Sequence, residues 1–280
     1  MAGKLYLCAT PIGNLSDMTF RVIEVLKSVD LIAAEDTRNT IKLLNNFEIK
    51  TPMTSYHEYN KIDKGHYLVQ KLLEGTNIAL VSDAGTPGIS DPGEELVKFC
   101  YEAGVEVSSV PGPAACITAL TMSGLSTRRF CFEGFLPTDK KERALVLKRL
   151  ETETRTTVMY EAPHHLLKTL ELLVEVIPGR RITFCKELTK RYESAIQMKI
   201  EDAINYYTEN PPRGEFVLVI EGISQEVLDA DQQAEWEKMT LDEHMEIYLQ
   251  QGMSKKDAMK AVAADRGISK RDVYQALLNE

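Results

Sequence analysis

The chain contains no apolar run near the ~20 residues that span a bilayer. In 280 residues it has only five cysteines, five histidines and one tryptophan. The missing run argues against a helical membrane protein. The start, KLYLCA at residues 4–9, is too short and too polar afterwards for a secretory signal and reads as a first strand. A cytoplasmic protein is expected. Cys8, Cys100, Cys116, Cys131 and Cys185 are scattered, and no pair has metal-ligand spacing, so no metal is expected. They suit small buried hydrophobes in a reducing compartment. There is no G-x-G-x-x-G and no G-x-x-x-x-G-K-[ST], which disfavours a dinucleotide fingerprint and a phosphate loop. H-E-x-x-H and G-x-S-x-G are missing too. Basic excess is also lacking: 33 Lys and Arg stand against 42 Asp and Glu, a net charge of −9. That balance argues against a surface coated by nucleic acid and leaves room for a local basic patch.

What is present is an ordinary globular balance, 44% hydrophobic and 27% charged, long enough for two domains. The first half alternates strand signals (4–9, 29–34, 77–81, 105–110) with helix signals (18–27, 61–73, 92–103, 113–122). This rhythm predicts a mostly parallel, helix-covered sheet. Ser16 or Asp17 is the expected cap of the first helix. The second half has strands at 130–135, 156–161, 181–187, 194–199 and 215–221, with helices at 140–150, 164–176 and 200–207. The short gap after 187 implies some antiparallel pairing. The expected organisation is an N-terminal α/β domain at 1–122, a second α/β domain at 123–222, an acidic linker or exposed helix at 223–239 and a helical module at 240–280. In that module Ser254 caps one helix. Ser269 and Asp272 open another by a capping-box variant, and the Gly turn between them gives a helix-turn-helix shape. Its segment 253–272 is locally basic, with Lys255, Lys256, Lys260, Lys270 and Arg271 among its residues.

The densest chemical signal is SDAGTPGISDPG at residues 82–93. A buried strand empties into a loop with bare backbone, and a helix follows with Asp91 as cap and Pro92 in its first turn. Three further loops leave strand ends: TPIGNL at 10–15, EDTRNT at 35–40 and PGPAA at 111–115. In a parallel sheet all four gather on one edge, where ligands bind. Residues 55–60, SYHEYN, pack six hydrogen-bonding residues into a predicted loop. KELTKRYE at 186–193 and YEAPHH at 160–165 leave strand ends of the second half.

These segments together resemble the tetrapyrrole-methylase fold family of S-adenosyl-L-methionine-dependent methyltransferases. The match rests on ATPIGNL, AEDTR, SYHE, residues 82–93, VPGPAA, YEAP, KELTK and Gly214-Glu215, in that order, across about residues 3–222. The resemblance implies two α/β domains with the methyl donor in the cleft between them, usually in a homodimer. It carries donor contacts onto Pro11, Asp83, Gly85, Thr86, Ile89, Ala114, Ala115, Tyr160 and Gly214. Thr86 departs from the acidic residue that many tetrapyrrole-acting members have there. Within the family the resemblance is close to the group that methylates the ribose 2′-oxygen of a cytidine in small-subunit (16S) ribosomal RNA, free or in the assembled subunit. A ribose hydroxyl is a weak nucleophile, so a base or cation is expected beside it, with Glu35, Lys186 and Glu187 the candidates. Arg38, Lys190 and Arg191 are candidates for phosphate. Two alternatives stay open: a methyltransferase for a tetrapyrrole such as a corrinoid precursor, and a non-enzymatic RNA-binding protein using residues 240–280.

Overall fold

The computed structural model describes residues 2–279. It separates into two compact units. The first runs to Leu147, resumes at Thr156 and ends at Glu221; the second comprises Lys148–Arg155 and the chain from Gly222 onward.

The first unit holds two five-stranded sheets. One contains β1 (Lys4–Cys8), β2 (Leu31–Ala34), β3 (Met53–Ser55), β4 (Ile78–Val81) and β5 (Glu106–Val110) in the order β3-β2-β4-β1-β5. Every pairing in it is parallel. Helices cover both faces, so β4 is apolar throughout and fully buried. On one side α1 (Phe20–Ser28) and α2 (Thr37–Asn46) bury Val22, Leu26 and Leu44 against Ile32, Ala34 and Val81. On the other, α3 (Lys61–Leu73) and α4 (Gly93–Glu102) bury Leu68, Leu72, Leu96 and Cys100 against Leu5, Ile78 and Leu80.

The second sheet contains β6 (Phe130–Phe135), β7 (Thr156–Glu161), β8 (Arg181–Lys186), β9 (Ser194–Lys199) and β10 (Phe216–Ile220), ordered β6-β7-β10-β8-β9. β6 and β7 are parallel. The β7–β10, β10–β8 and β8–β9 pairs are antiparallel. The central strand β10, FVLVI, is buried at every position. α5 (Ala115–Met122) packs Cys116, Ala119 and Leu120 onto Val158, Cys185 and Val219. α7 (Leu166–Val176) and α8 (Ile200–Glu209) supply a further buried row, in which Tyr207 meets Phe184 and Phe216 edge-on at 4.9 and 5.7 Å.

Several local expectations are corrected. α1 is capped by Thr19, whose hydroxyl accepts from the Val22 N–H, not by Ser16 or Asp17. Those two lie in a separate 3-10 turn, Leu15–Asp17, closed by Asn14. α2 begins inside the 35–40 segment expected as a loop, and β3 ends at the first residue of the 55–60 loop; neither element was expected. At the head of α4, Pro92 takes the cap position, while the Asp91 carboxylate accepts from Gly93 N–H at 2.8 Å and from Gly88 and Ile89 N–H at 2.9 and 3.2 Å. One carboxylate therefore fixes both the loop and the helix start. Of the cysteines, Cys8, Cys100, Cys116 and Cys185 are buried and Cys131 is half-buried.

The second unit is helical: α9 (Gln225–Glu237), α10 (Leu241–Gln250), α11 (Lys255–Asp265) and α12 (Lys270–Asn279). α6 (Lys140–Glu151) crosses from the first unit into the second. Met245, Ala258, Val262, Ala263 and Val273 form the second unit's core. Ser254 accepts from Asp257 N–H at 3.2 Å. Ser269 and Asp272 cap each other reciprocally at 3.1 Å.

Candidate functional site

A cavity of about 430 Å³ opens where the carboxyl ends of β1, β2, β4 and β5 face the β6, β7 and β10 side of the second sheet. Ile12, Glu35, residues 82–86 and 89–91, Ala114 and Ala115 line it from the first sheet. Phe135, residues 160–163, Leu188 and residues 215–217 line it from the second. The crevice lies outside the carboxyl ends of the parallel strands, where an open α/β sheet binds its ligands.

The loops after β1 and β4 are joined to each other. Thr10 N–H donates to Gly85 O at 2.8 Å, and Gly85 N–H donates to Thr10 O at 3.0 Å. The Thr10 hydroxyl adds a 3.2 Å bond to Ser82 O. Gly85 has φ +83°, and a Cβ there would lie 3.2 Å from Ile12 Cγ2. The positive φ favours glycine here, and a Cβ would crowd Ile12. Both backbone groups of Gly85 are engaged by Thr10, so Gly85 offers a ligand room, not hydrogen bonds. The Thr86 hydroxyl donates to Pro113 O at 2.9 Å, tying this loop to the turn before α5.

A carboxylate exchange couples β2 to β4. Asp83 N–H donates to Glu35 Oε2 at 3.2 Å, and Asp36 N–H donates to Asp83 Oδ1 at 3.2 Å. Burial raises the Glu35 pKa above the usual carboxylate range. The Asp83, Asp91 and Asp36 charges push the same way, against the Asp83 N–H bond. Arg38 is held bidentately on Asp36 at 3.0 and 2.7 Å and depresses that carboxyl to about 2.

On the second-sheet side, burial pushes the Tyr160 hydroxyl well above its ordinary pKa, and the neighbouring Cys116 adds to the shift. The Tyr160 ring meets Phe132 and Phe135 edge-on at 4.9 and 5.5 Å. Glu161 is buried. It accepts from Ala162 N–H at 2.7 Å and from the Thr169 hydroxyl at 2.5 Å.

The segment after β8 is built around Glu187. Its Oε1 accepts from Glu215 N–H at 3.0 Å and from Lys190 Nζ at 3.1 Å, while Glu187 N–H donates to Glu215 O at 3.0 Å. The Glu215 amide is the chief cause of a lowered Glu187 pKa, with Lys190 adding to it. Lys190 Nζ also donates to Glu215 Oε2 at 2.9 Å. Burial opposes its charge, but the two glutamates outweigh burial and raise its pKa. Glycine at 214 is forced, because φ is +81° and a Cβ would sit 2.6 Å from the Glu187 carboxylate. Gly13, in the loop after β1, likewise leaves room for Lys190, whose Cγ would lie 2.5 Å from a Cβ there.

Of the residues singled out from sequence, Glu35, Asp83, Gly85, Thr86, Ile89, Ala114, Ala115 and Tyr160 line this cavity together. Pro11, Lys186, Glu187 and Gly214 do not; each is a chain neighbour of a residue that does, or one removed. Phe135, Phe216 and Val217 line it without having been singled out. They belong to strands that read as core, and only the pairing of the sheets brings their ends to the cleft. The lining contains five carboxylates, Glu35, Asp83, Asp91, Glu161 and Glu215, and no lysine, arginine or histidine.

Comparison with known proteins agrees with this architecture. The model of the tetrapyrrole (corrin/porphyrin) methylases matches residues 4–204. The chain is 49% identical over 274 residues to ribosomal RNA small subunit methyltransferase I of Bacillus subtilis (strain 168), covering 98% of this chain and 94% of that one. It is 48% identical to the protein of that name from Synechocystis sp., covering 99% and 98%. Among solved structures, uroporphyrin-III C-methyltransferase from Thermus thermophilus complexed with S-adenyl homocysteine superposes with a TM-score of 0.55 at 17% identity. That match covers 78% of this chain and 97% of that one.

Proposed function

Because the chain belongs to the tetrapyrrole (corrin/porphyrin) methylase family, we propose that it methylates small-subunit ribosomal RNA with S-adenosyl-L-methionine as donor, at the 2′-oxygen of a cytidine ribose. The observation that carries the donor is the charge of the cavity: five carboxylates and no cationic side chain. A nucleotide phosphate is repelled from such a lining, whereas a sulfonium and an α-ammonium are attracted. The apolar panel of Ile12, Ala114, Ala115, Leu188, Phe216 and Val217 suits the flat remainder of that molecule. The residues present therefore fit the donor. Relatives named for ribosomal RNA match along nearly the whole chain, including the helical C-terminal unit, which supports that acceptor over a tetrapyrrole.

In this reading the donor supplies an electrophilic methyl whose leaving group is a neutral thioether. Asp83, Thr86, Ile89, Ala114, Ala115 and Tyr160 hold it, and Gly85 leaves it space. Pro11 and Gly214 shape the backbone beside it. Glu35 takes the ribose proton, since burial has already made its carboxylate more basic than usual. Glu187 is committed to Lys190 and to the Glu215 amide, so it positions the turn at Gly214. Lys186, the last residue of β8, is the cationic candidate in the same segment. A homodimer belongs to the reading on family resemblance, and light scattering at twice the chain mass would support it.

The test is ribose-methylation mapping. Purified protein, labelled S-adenosyl-L-methionine and isolated small subunits lacking the modification should give one alkali-resistant cytidine. A protein that binds the donor yet labels neither subunits nor their free RNA would sink the proposal.

A further inference from the structure

One part of the cavity wall is unlike the rest. β6 ends at Phe135, which lines the cavity and yet is 54% exposed. The ring is therefore open to a ligand that enters the cleft, and it offers a flat aromatic face there. Its orientation is set by the edge-on contact with Tyr160, 5.5 Å between centroids at 62°. Ile89, 42% exposed, adds a second apolar group to the lining.

The chain beyond Phe135 is held firmly. Arg143 Nη1 donates to Pro137 O at 3.0 Å and to Thr138 O at 2.9 Å. Asp139 accepts from Lys141 and Glu142 N–H at 2.9 and 3.0 Å and so caps α6. Its carboxyl is held below the usual range by those amide bonds. Asp139 is thereby spent on the backbone. The first residues of α6, Lys140 and Lys141, are exposed, and among the described residues neither forms an ion pair.

These features fit an acceptor whose base and phosphates need different partners. The cavity repels phosphate, so the phosphates of a strand entering it must be met by cations beside it. A nucleotide drawn out of its stack needs a new face to stack on. We propose that Phe135 is the stacking platform for the acceptor nucleobase and that Lys140 and Lys141 hold the neighbouring phosphates. This rests on the RNA-methylating function proposed above. Phenylalanine has no donor or acceptor, so it reads the face of the base and not its edge. It fixes position and leaves base identity to other groups.

The experiment uses the full chain. Donor affinity is measured by calorimetry with S-adenosyl-L-methionine, and methyl transfer to small subunits is measured across RNA and salt concentration. Failure of the unaltered protein to methylate RNA would already overturn the function, before any variant is made. With that activity in hand, Phe135→Ala should raise KM for the RNA by about 5- to 150-fold, leave kcat nearly unchanged, and leave donor affinity and melting temperature unchanged. Phe135→Trp should restore KM, which a purely structural role would not predict. Lys140→Gln with Lys141→Gln should flatten the log–log salt dependence of RNA binding by about 1.4, the single-strand value for two phosphates. An unchanged KM in Phe135→Ala, or a weakened donor in its place, overturns the platform. An unchanged salt slope in the lysine variant overturns the phosphate contacts.

Discussion

Thr10 and Gly85 are bound to each other twice through their backbones, N–H to O in both directions, at 2.8 and 3.0 Å. This pair welds the loop after β1 to the Gly-rich loop after β4 and sets the floor of the cavity. Gly85→Ala must place a side chain at φ +83° and 3.2 Å from Ile12 Cγ2. The expected result is a loss of about 1–2 kcal/mol in stability, read by denaturant unfolding, together with weaker donor binding by calorimetry. A variant with unchanged donor affinity would remove this loop from the donor site.

Much of this loop system is legible in the sequence because glycine, proline and aspartate carry their own geometry. The bounds of α3 (Lys61–Leu73) were also legible, since Leu68 and Leu72 keep a helical stripe; Leu73, expected in that stripe, is exposed and Val69 is buried in its place. α2 was not. Its buried face is only Thr40 and Leu44 among three asparagines, Arg38 and Lys42, and Ile41 is exposed. β3 is three residues long with no fully buried position, too short for alternation to register. The cleft contribution of Phe135, Phe216 and Val217 depends on which strand ends the second sheet brings forward. That is a long-range property, and no local pattern encodes it.

Glu35 gives a prediction with a definite sign. Burial, then the nearby Asp83, Asp91 and Asp36 carboxylates, raises its pKa in the folded chain. A raised carboxyl contributes stability while protonated, and that contribution is lost as pH rises through the folded pKa. Glu35→Gln should therefore be more stable than the parent at about pH 7 and equal to it below about pH 4, where both chains are neutral at this position. The amide oxygen can still accept the Asp83 N–H. In the same variant kcat for methyl transfer should fall by about 10²- to 10⁴-fold if this carboxylate takes the proton. Matching unfolding midpoints at pH 7 would contradict the burial argument; unchanged kcat would contradict the catalytic one.

Gly214 and Glu187 make a steric prediction. A methyl group at position 214 would lie 2.6 Å from the Glu187 carboxylate, at φ +81°. Gly214→Ala must expel that carboxylate from the Glu215 amide and from Lys190. Glu187→Gln keeps the shape and removes only the charge. The alanine variant should lose about 2–4 kcal/mol, the conformational cost plus a broken hydrogen-bond pair, and the glutamine variant about 1 kcal/mol. The Glu187 pKa is lowered in the folded chain, so the glutamine penalty is present above the usual carboxylate range and fades as pH falls through the folded value. Equal losses in the two variants would show that the glycine is required by conformation alone.

The second unit carries its own reporter. Trp236, the only tryptophan, is stacked on His244 with centroids 4.1 Å apart and 9° between planes. Arg266 Nε donates to His244 Nδ1 at 3.1 Å, so Nδ1 must be unprotonated, and His244 Nε2–H donates to Asp265 Oδ2 at 3.1 Å. Burial, with help from Arg266 and against Asp265, lowers the His244 pKa. The neutral ring is therefore the folded form. Its stability contribution is complete above the ordinary histidine pKa of about 6.5 and is lost as pH falls toward the folded value. Protonation sets a new N–H against the Arg266 guanidinium, which also ties Met239 O and Thr240 O at 2.6 and 2.9 Å to the end of α11. Acidification below about pH 6.5 should change Trp236 emission before the far-ultraviolet signal of the remaining helices falls. His244→Phe should keep the stack and abolish that titration. Trp236 emission that stays constant through this window in the parent chain would show that His244 does not titrate before the unit unfolds.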